Sequence, residues 1–547
     1  MNHPCVITLD KKSAPRTLFA GDKLIKVDLP AGTRVIYPKP PLAGLKDPDA
    51  AIRYAINHPY GSPPLYAKLK PGMKVTIAVD DISVCLPPMK RPDVRQRVLE
   101  IVLEQLRDHG VDDVHIIIAT SFHRRMREWE LRFMLGDKIV DAYWPKKLYN
   151  HDAEDPAGMK YVGTTELGEP VVLNRRAVES DLVIYVNLNL VPMDGGHKSV
   201  TVGLCGYDSL KPHHNPRVMR KCHSYMDPPK SELNTVVERM GKVTDAAIDV
   251  FTIETTINNR MFDKPLGFLS KKEEDYTMAE RAALDAMIYT LDRTPSHLRQ
   301  EIFQRVPAPY ELTGVWAGKT EAVHPHTLKK CFEQYSVPAT GQADIVVAGV
   351  PYISPYNINA YLNPLLVQVM IEGYLHNLYR GSPVVKKGGT VIAFHPCSDR
   401  FDPDQHAPYI EFVHRVLPET RDAMVMHKKY EEEFSKNPSY IELYRKGHAY
   451  HPVHPFYMWY WGEAGRQHRG RVILVGTDNE YVPKLLGYET AKTFADALEM
   501  AKDTHGRSPS ITCMHVPPIG MVDMTPAGSS GASTSNNAAL AAHGGEA

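Results

Sequence analysis

Apolar residues fall in short continuous runs rather than in strict alternation. Val75-Thr76-Ile77-Ala78-Val79, Val114-His115-Ile116-Ile117-Ile118 and Leu182-Val183-Ile184-Tyr185-Val186 each hold the length of one strand, and Val94 to His109 carries a helical pattern between the first two. Continuous apolar strands alternating with helices predict a parallel sheet buried on both faces. Each run ends in polar or small residues: Asp80-Asp81, then Thr120-Ser121-Phe122-His123, then Asn187 to Lys198. In open α/β sheets ligands bind at these carboxyl ends, so three separate segments are expected to converge on one crevice.

A second αβ pattern runs from Asp344-Ile345-Val346-Val347-Ala348 through Gly389-Thr390-Val391-Ile392-Ala393 to Arg471-Val472-Ile473-Leu474-Val475. Between the two patterns lies a helical, loop-rich middle over Lys271 to Gln304. The fold class expected is therefore α/β, with two α/β domains of mainly parallel sheets and an active site in the cleft between them. The boundaries read as residues 1–315 for the first domain, 316–525 for the second and 526–547 for a tail. Residues 1–70 are proline-rich, with a strand-like run at Lys23 to Leu29, and predict an irregular lead-in. The tail, AGSSGASTSNNAALAAHGGEA after Pro526, offers too few large apolar groups to offset the entropy of ordering it, and disorder is expected.

Composition narrows the function. The 547 residues suffice for two or three domains, and 64 Lys plus Arg balance 64 Asp plus Glu without a long basic run. The electrostatic footprint of a nucleic-acid or anionic-membrane binder is missing, which directs attention to a small-molecule partner. No run of eighteen apolar residues and no basic-then-apolar N-terminal segment occurs, so a cytoplasmic protein without a membrane partner is expected. Seven scattered cysteines without a CxxC pair indicate neither a disulfide framework nor a thiolate zinc site.

Candidate chemistry lies after the strands. His123, followed by Arg124, suits a general acid or base near neutral pH, the alternative being a helix-cap or surface histidine. The stretch Gly195-Gly196-His197-Lys198-Ser199-Val200, with His214 sixteen positions after the lysine, sets an amine and an imidazole beyond a strand end. Its glycine pair permits either close approach to a ligand, with exposed amides forming an anion-binding concavity, or a plain turn. Neither a GxxxxGK[ST] loop nor a GxGxxG motif following a strand is present. His448-x-x-His451-x-x-His454 has the look of a metal cluster, yet its spacing is neither HExxH nor a zinc spacing.

Taken in order from Val75 to Leu233, these segments resemble the nickel-dependent lactate racemase (LarA-type) family. Ala119-Thr120-Ser121-Phe122-His123-Arg124 is similar to the family segment Ala-Thr-Gly-x-His-Arg, and the resemblance implies that His123 is a catalytic acid–base. Gly195-Gly196-His197-Lys198 resembles the family's Gly-Gly-x-Lys segment. By that resemblance Lys198 carries a nickel-pincer nucleotide and His214 is the nickel ligand, with Asp81, Ser83, Gly195 and Gly196 at the cofactor. His223-Ser224-Tyr225-Met226 also resembles the sequence following the family's nickel ligand if nine residues are inserted, which makes His223 the alternative to His214. Imidazole is an apt Ni(II) donor and a covalent amine link supplies effective concentration. The implied activity is racemisation or epimerisation of a 2-hydroxy acid by hydride transfer, with cofactor-synthesis enzymes as partners; the alternatives are a pincer-using oxidoreductase or isomerase of another hydroxy compound, or a non-catalytic relative.

Three positions depart from the family pattern. Val84 stands where an arginine, a bidentate carboxylate clamp, is expected. The loop Asn189 to Asp194 is short and lacks the family's second catalytic histidine, leaving His197 as its substitute. Asn359 and Asn363 replace a tyrosine and a lysine of the substrate element. The substrate half is thus rewritten, and a hydroxy compound larger or less acidic than lactate is expected, with Arg124, Arg125 or Lys211 as sources of a replacement charge.

Overall fold

The computed structural model describes residues 3–84 and 86–528. The first sheet has six strands in the order β12(Leu312–Gly318), β11(Val250–Ile257), β10(Leu182–Asn189), β5(Lys74–Asp80), β6(Asp113–Ala119), β7(Leu148–Asn150). All pairings are parallel except β11 with β12. Its three central strands are the three apolar runs: every residue of β10 is buried, as are Val75 to Asp80 of β5 and Ile116 to Ala119 of β6. The helix Val94–Asp108 joins β5 to β6. Asp93 accepts a hydrogen bond from the Arg95 amide at its start, and Val94, Val98, Leu99, Ile101, Val102 and Leu106 form its buried stripe.

The second sheet has nine strands. Its main path is β1(Val6–Thr8), β4(Arg34–Ile36), β19(Ile511–Met514), β14(Ala343–Pro351), β16(Val385–Phe394), β17(Arg471–Val475), β18(Glu489–Ala491), with β2(Arg16–Gly21) pairing β14 and β3(Lys23–Val27) pairing β2. From β4 to β18 every pairing along the path is parallel. A hairpin, β8(Met159–Thr164) with β9(Pro170–Asn174), and a three-stranded ribbon, β13(Ser336–Thr340), β20(Met521–Thr525) and β15(Tyr379–Gly381), complete the strands among the described residues. The α/β class with mainly parallel sheets is as the sequence indicated.

The lead-in differs from the irregular segment expected. Residues 6–36 form four strands of the second sheet, with Cys513 opposite Val35 and Val350 opposite Ala20. The strand-like run from Lys23 is β3, paired locally with β2, but local periodicity gave no sign of the attachment to the sheet, because those partners lie more than 300 residues away. At the other side, β12 and the helix Thr320–Tyr335 pack on the first sheet, so residues 316–335 adjoin the first layer. The two-domain division with its boundaries at 315 and 525 thus stands as a proposal, with the two sheets as its cores. Of the expected disordered tail, only residues 526–528 lie within the described residues.

A buried ion pair of the first half also grips the second. Arg124 Nη1 and Nη2 donate to the two Glu130 carboxylate oxygens at 2.8 and 2.6 Å, and Nη2 also donates to the Ile358 carbonyl at 3.0 Å. Burial opposes the charge on Arg124, but Glu130 outweighs it and holds the guanidinium firmly protonated. Removing one partner of a buried pair strands the other charge. Arg124→Ala should therefore lower unfolding stability by about 3–5 kcal/mol, read from the denaturant midpoint, whereas Arg125→Ala, whose guanidinium reaches only the Arg445 carbonyl, should change it far less.

Candidate active site

The carboxyl-terminal ends of β5, β6 and β10 open into one cavity of about 230 Å³, whose opposite wall comes from the end of β14 and the segments around Tyr356, Tyr374 and His454. At the end of β5, Asp80 is buried and accepts from Tyr185 Oη at 2.9 Å, Asn187 Nδ2 at 2.8 Å and the Leu188 amide at 2.7 Å. Burial raises its carboxyl to about 7, against the opposing pull of these hydrogen bonds.

Next along the chain, Asp81 turns to the histidine that follows β6. His123 Nδ1 lies 2.8 Å from Asp81 Oδ2 and 3.2 Å from Ser83 Oγ, and Ser83 donates to Asp81 through its hydroxyl at 2.8 Å and its amide at 3.0 Å. Burial would raise the Asp81 carboxyl, but the charge of His123 and the hydrogen bonds from His123 and Ser83 together lower it. An ionised carboxylate only accepts, so Nδ1 of His123 carries the proton and Nε2 keeps its lone pair. Ser121, with φ of 49°, makes the sharp turn that brings His123 out of β6; its amide donates to the Gly203 carbonyl at 3.0 Å.

The glycine loop delivers the lysine. Gly195 and Gly196 have φ of 84° and 64°, and a Cβ on either would collide, with Asn189 Oδ1 at 2.5 Å and with His324 Cδ2 at 2.9 Å. Only glycine fits both demands. The Gly196 amide donates to Glu254 Oε1 at 2.6 Å, and Gly196 does not line the cavity, so the expected anion-binding concavity is not formed there. Gly195 does line it. Lys198 begins the helix Lys198–Gly203 on the cavity wall, its Nζ donating to the Met193 carbonyl at 3.2 Å.

His214 also faces the cavity, and its Nδ1 lies 2.6 Å from Nδ1 of His213. Burial, then the charges of His213, Lys198 and His123, hold His214 well below the usual imidazole range, so its ring is neutral. For Nε2 of His214 to present a lone pair to the cavity, its Nδ1–H must donate to His213; a partner on the far ring nitrogen is the usual support of a ligating imidazole. His223 stands outside the cavity, near Asp227 and edge-on to Tyr379. Of the two alternatives, His214 alone shares a cavity with Lys198 and His123.

His197 is a correction. Its Nδ1 is 2.6 Å from Glu238 Oε2 and its Nε2 2.7 Å from Asp245 Oδ2, both on the helix Glu232–Ala247, and the ring does not reach the cavity. With both nitrogens committed to carboxylates it is a structural imidazolium rather than the second base. The expected replacement cations fail likewise: Arg124, Arg125 and Lys211 do not line the cavity. Asn359 donates to Glu130 and Asn363 caps the helix Pro364–Gln368, so neither faces it either. Val84 does, as an apolar wall. The histidine triplet is not a metal cluster: His448 meets the Arg125 carbonyl, His451 pairs with Glu154 and stacks on Phe122, and His454 alone enters the cavity.

Two polar cavity residues missed in the sequence are His454 and Tyr356. Nδ1 of His454 is hydrogen-bonded to the Tyr409 hydroxyl, and its ring centroid lies 5.6 Å from that of His123. Tyr356 belongs to the same loop as Asn359, with its hydroxyl 3.0 Å from that of Tyr374. A tyrosine in the substrate element was the available signal, three positions before the one matched.

This geometry defines the class, an α/β protein whose cavity joins an Asp–His pair, an amine and a neutral imidazole. Residues 20–226 match the lactate racemase N-terminal domain family. Among relatives, the chain is 24% identical over 168 residues to the lactate racemase of Thermoanaerobacterium thermosaccharolyticum and 25% identical over 169 residues to that of Lactiplantibacillus plantarum. Each alignment covers 30% of this chain, which spans 37% and 38% of those relatives. Among solved structures, the lactate racemase apoprotein of T. thermosaccharolyticum superposes with a TM-score of 0.60 at 20% identity, covering 93% of this chain and all of the other. A Thermotoga maritima protein gives 0.50 at 15% identity, covering 89% and all of the other. The family match is confined to residues 20–226, and the two superpositions extend the likeness of fold, though not of activity, beyond the matched domain.

The two carboxylates around His197 set a pH dependence. Burial disfavours its charge, but hydrogen bonds to Asp245 and Glu238 and their charges raise it to about 10. The raised value means that its stabilisation is complete below about pH 6.5 and is lost as the pH climbs to about 10. Chemical denaturation of His197→Gln against the unsubstituted protein should show a stability gap that narrows over that range; a constant gap would refute the assignment.

Proposed function

We propose that the protein is a racemase or epimerase of a 2-hydroxy acid that works with a nickel-pincer nucleotide. The observation that carries this reading is that Asp81–His123, Lys198 and His214, from three separate segments, line one cavity. The donor set suits the group: a half-buried amine with a single carbonyl partner for the covalent link, and a neutral imidazole whose Nδ1 is held by His213 for the metal. When bound, the nucleotide supplies a reversible acceptor for a carbinol hydrogen together with its bonding pair. Lys198 would tether it, His214 would ligate its nickel, and Gly195 would allow its close approach.

His123 handles the hydroxyl proton. Asp81 keeps its Nδ1 protonated, so Nε2 accepts the proton as the carbinol is oxidised and returns it afterwards. The charge gained by the imidazole is balanced by the buried carboxylate behind it. Apolar side chains dominate the remaining wall, among them Val84, Met193, Met226, Met370, Tyr457 and Trp461, and no arginine lines the cavity among the described residues. These features support a hydroxy acid with a bulky apolar or aromatic side chain, its carboxylate left to tyrosine hydroxyls such as Tyr356 and Tyr374.

The test begins with the cofactor. Protein co-expressed with the cofactor-synthesis enzymes should carry a covalent mass adduct, absent in Lys198→Ala, and bound nickel, lost in His214→Ala while the adduct remains. An unmodified intact mass in the unsubstituted protein would end the proposal. Loaded protein should racemise a 2-hydroxy acid with an aromatic side chain with kcat/KM at least about tenfold above lactate, since each buried methylene contributes about 0.8 kcal/mol; a preference for lactate would remove the substrate class.

A further inference from the structure

We infer that His454 is a second proton-transfer residue of this cavity, paired with His123 and serving the enantiomer that His123 does not. The inference rests on the racemase reading above and adds to it a residue from the other half of the chain. A racemase that oxidises and reduces one carbinol must meet the hydroxyl oxygen in two orientations. One base fixed on one wall reaches only one of them.

His454 has the position and the free nitrogen for the other. It opens the helix His454–Trp461, whose second residue, Pro455, needs no amide partner at a helix start. The ring is nearly inaccessible from bulk solvent yet lines the cavity. Its Nδ1 is taken by the Tyr409 hydroxyl, which leaves Nε2 as the nitrogen available to a ligand. Tyr450 lies against the ring at 4.5 Å between centroids and Tyr356 edge-on at 5.2 Å, so the imidazole is held on both sides. The His123 ring stands nearly perpendicular to it, at 82° and 5.6 Å. The two imidazoles are thus in edge-to-face contact where the two walls of the cavity meet, so that a substrate lying against one ring also reaches the other.

Their partners differ in kind. Asp81 can only accept, which fixes His123 as a base through Nε2. The Tyr409 hydroxyl can donate or accept by rotating, so Nε2 of His454 can hold a proton or a lone pair without leaving Nδ1 unsatisfied. In one direction His123 would take the hydroxyl proton as the O–H bond breaks and the C=O bond forms, the carbinol hydrogen leaving with its bonding pair to the hydride-accepting nucleotide that Lys198 and His214 would hold. On return to the opposite face the C–H bond would re-form, and His454, protonated for that step with its Nδ1–H donating to Tyr409, would give its Nε2 proton to the oxygen and revert to the neutral ring. One proton has then passed to His123 and one has left His454, and exchange between the two rings or with water restores both. The reverse direction uses His454 as base and His123 as acid.

The experiment is a single-turnover measurement on cofactor-loaded protein, following hydrogen transfer from each enantiomer of an aromatic 2-hydroxy acid separately. His454→Gln should slow transfer from one enantiomer by about 100-fold or more while leaving the other within about threefold; His123→Gln should show the opposite preference. Tyr409→Phe, which leaves the cavity wall in place, should weaken the same enantiomer as His454→Gln by a smaller factor. In the cofactor-free protein labelled with 15N in its histidine rings, titration with phenylpyruvate should shift the Nε2 signals of both His123 and His454. Equal slowing of both enantiomers in His454→Gln, or a phenylpyruvate shift confined to His123, would overturn the inference while leaving the racemase reading intact. Unsubstituted loaded protein that takes hydrogen from neither enantiomer of any hydroxy acid would bring down both.

Discussion

The site hangs on a buried carboxyl group. Asp80 closes β5 and collects three hydrogen bonds, all from β10, so that the two strands cannot slide or separate at their carboxyl ends without stranding an acceptor in the interior. One residue beyond Asp80 the chain presents Asp81 to His123, and two residues beyond Leu188 it enters the loop that ends at Lys198. Asn187 extends the same network to the Ser199 hydroxyl at 3.3 Å, on the helix that Lys198 begins. Asp81 with His123 and the Lys198 amine are thus spaced by one interaction, made at the last positions where both segments are still strand.

Around that anchor the cavity separates two kinds of wall. The side built from β5, β6 and β10 carries ionisable groups, each with a defined partner: carboxylate behind His123, carbonyl behind Lys198, imidazole behind His214. The facing side is aromatic and aliphatic, with His454 as its polar exception. Such an arrangement keeps water away from a hydrogen transfer while leaving proton positions at fixed places.

Much of this was legible in the sequence for one reason, that strands buried on both faces are written as unbroken apolar runs and their ends as the polar residues that follow. β5, β6 and β10 came within a residue or three of their bounds, and His123, Lys198 and His214 were found because they follow those ends. Where the reading failed, neighbours in sequence were not neighbours in direction. His197 adjoins Lys198, but at the start of a helix consecutive side chains diverge by about 100°, which sends one to the cavity and the other to Glu238 and Asp245. His454 posed the opposite difficulty, since its triplet spacing suggested three ligands for one metal and only the fold separates their partners. Of the lead-in strands only β3 had a local signal, the run from Lys23, while the places of β2 and β4 in the sheet are set by pairing with β14 and β19.

That pairing gives the chain a particular history. β4 lies beside β19 and β2 beside β14, so the first forty residues to be made take their places only after more than three hundred further residues have followed, and the edge of the second sheet closes only when its last strand, near residue 514, arrives. Contacts of such separation carry a large loop-closure cost and slow folding. During synthesis the first sheet, assembled from residues 74 to 318, can form while the opening segment still waits for a partner. The wall bearing His123 and Lys198 thus needs no strand beyond residue 318, whereas the cavity as a whole also needs segments from Gly349 to Ile519.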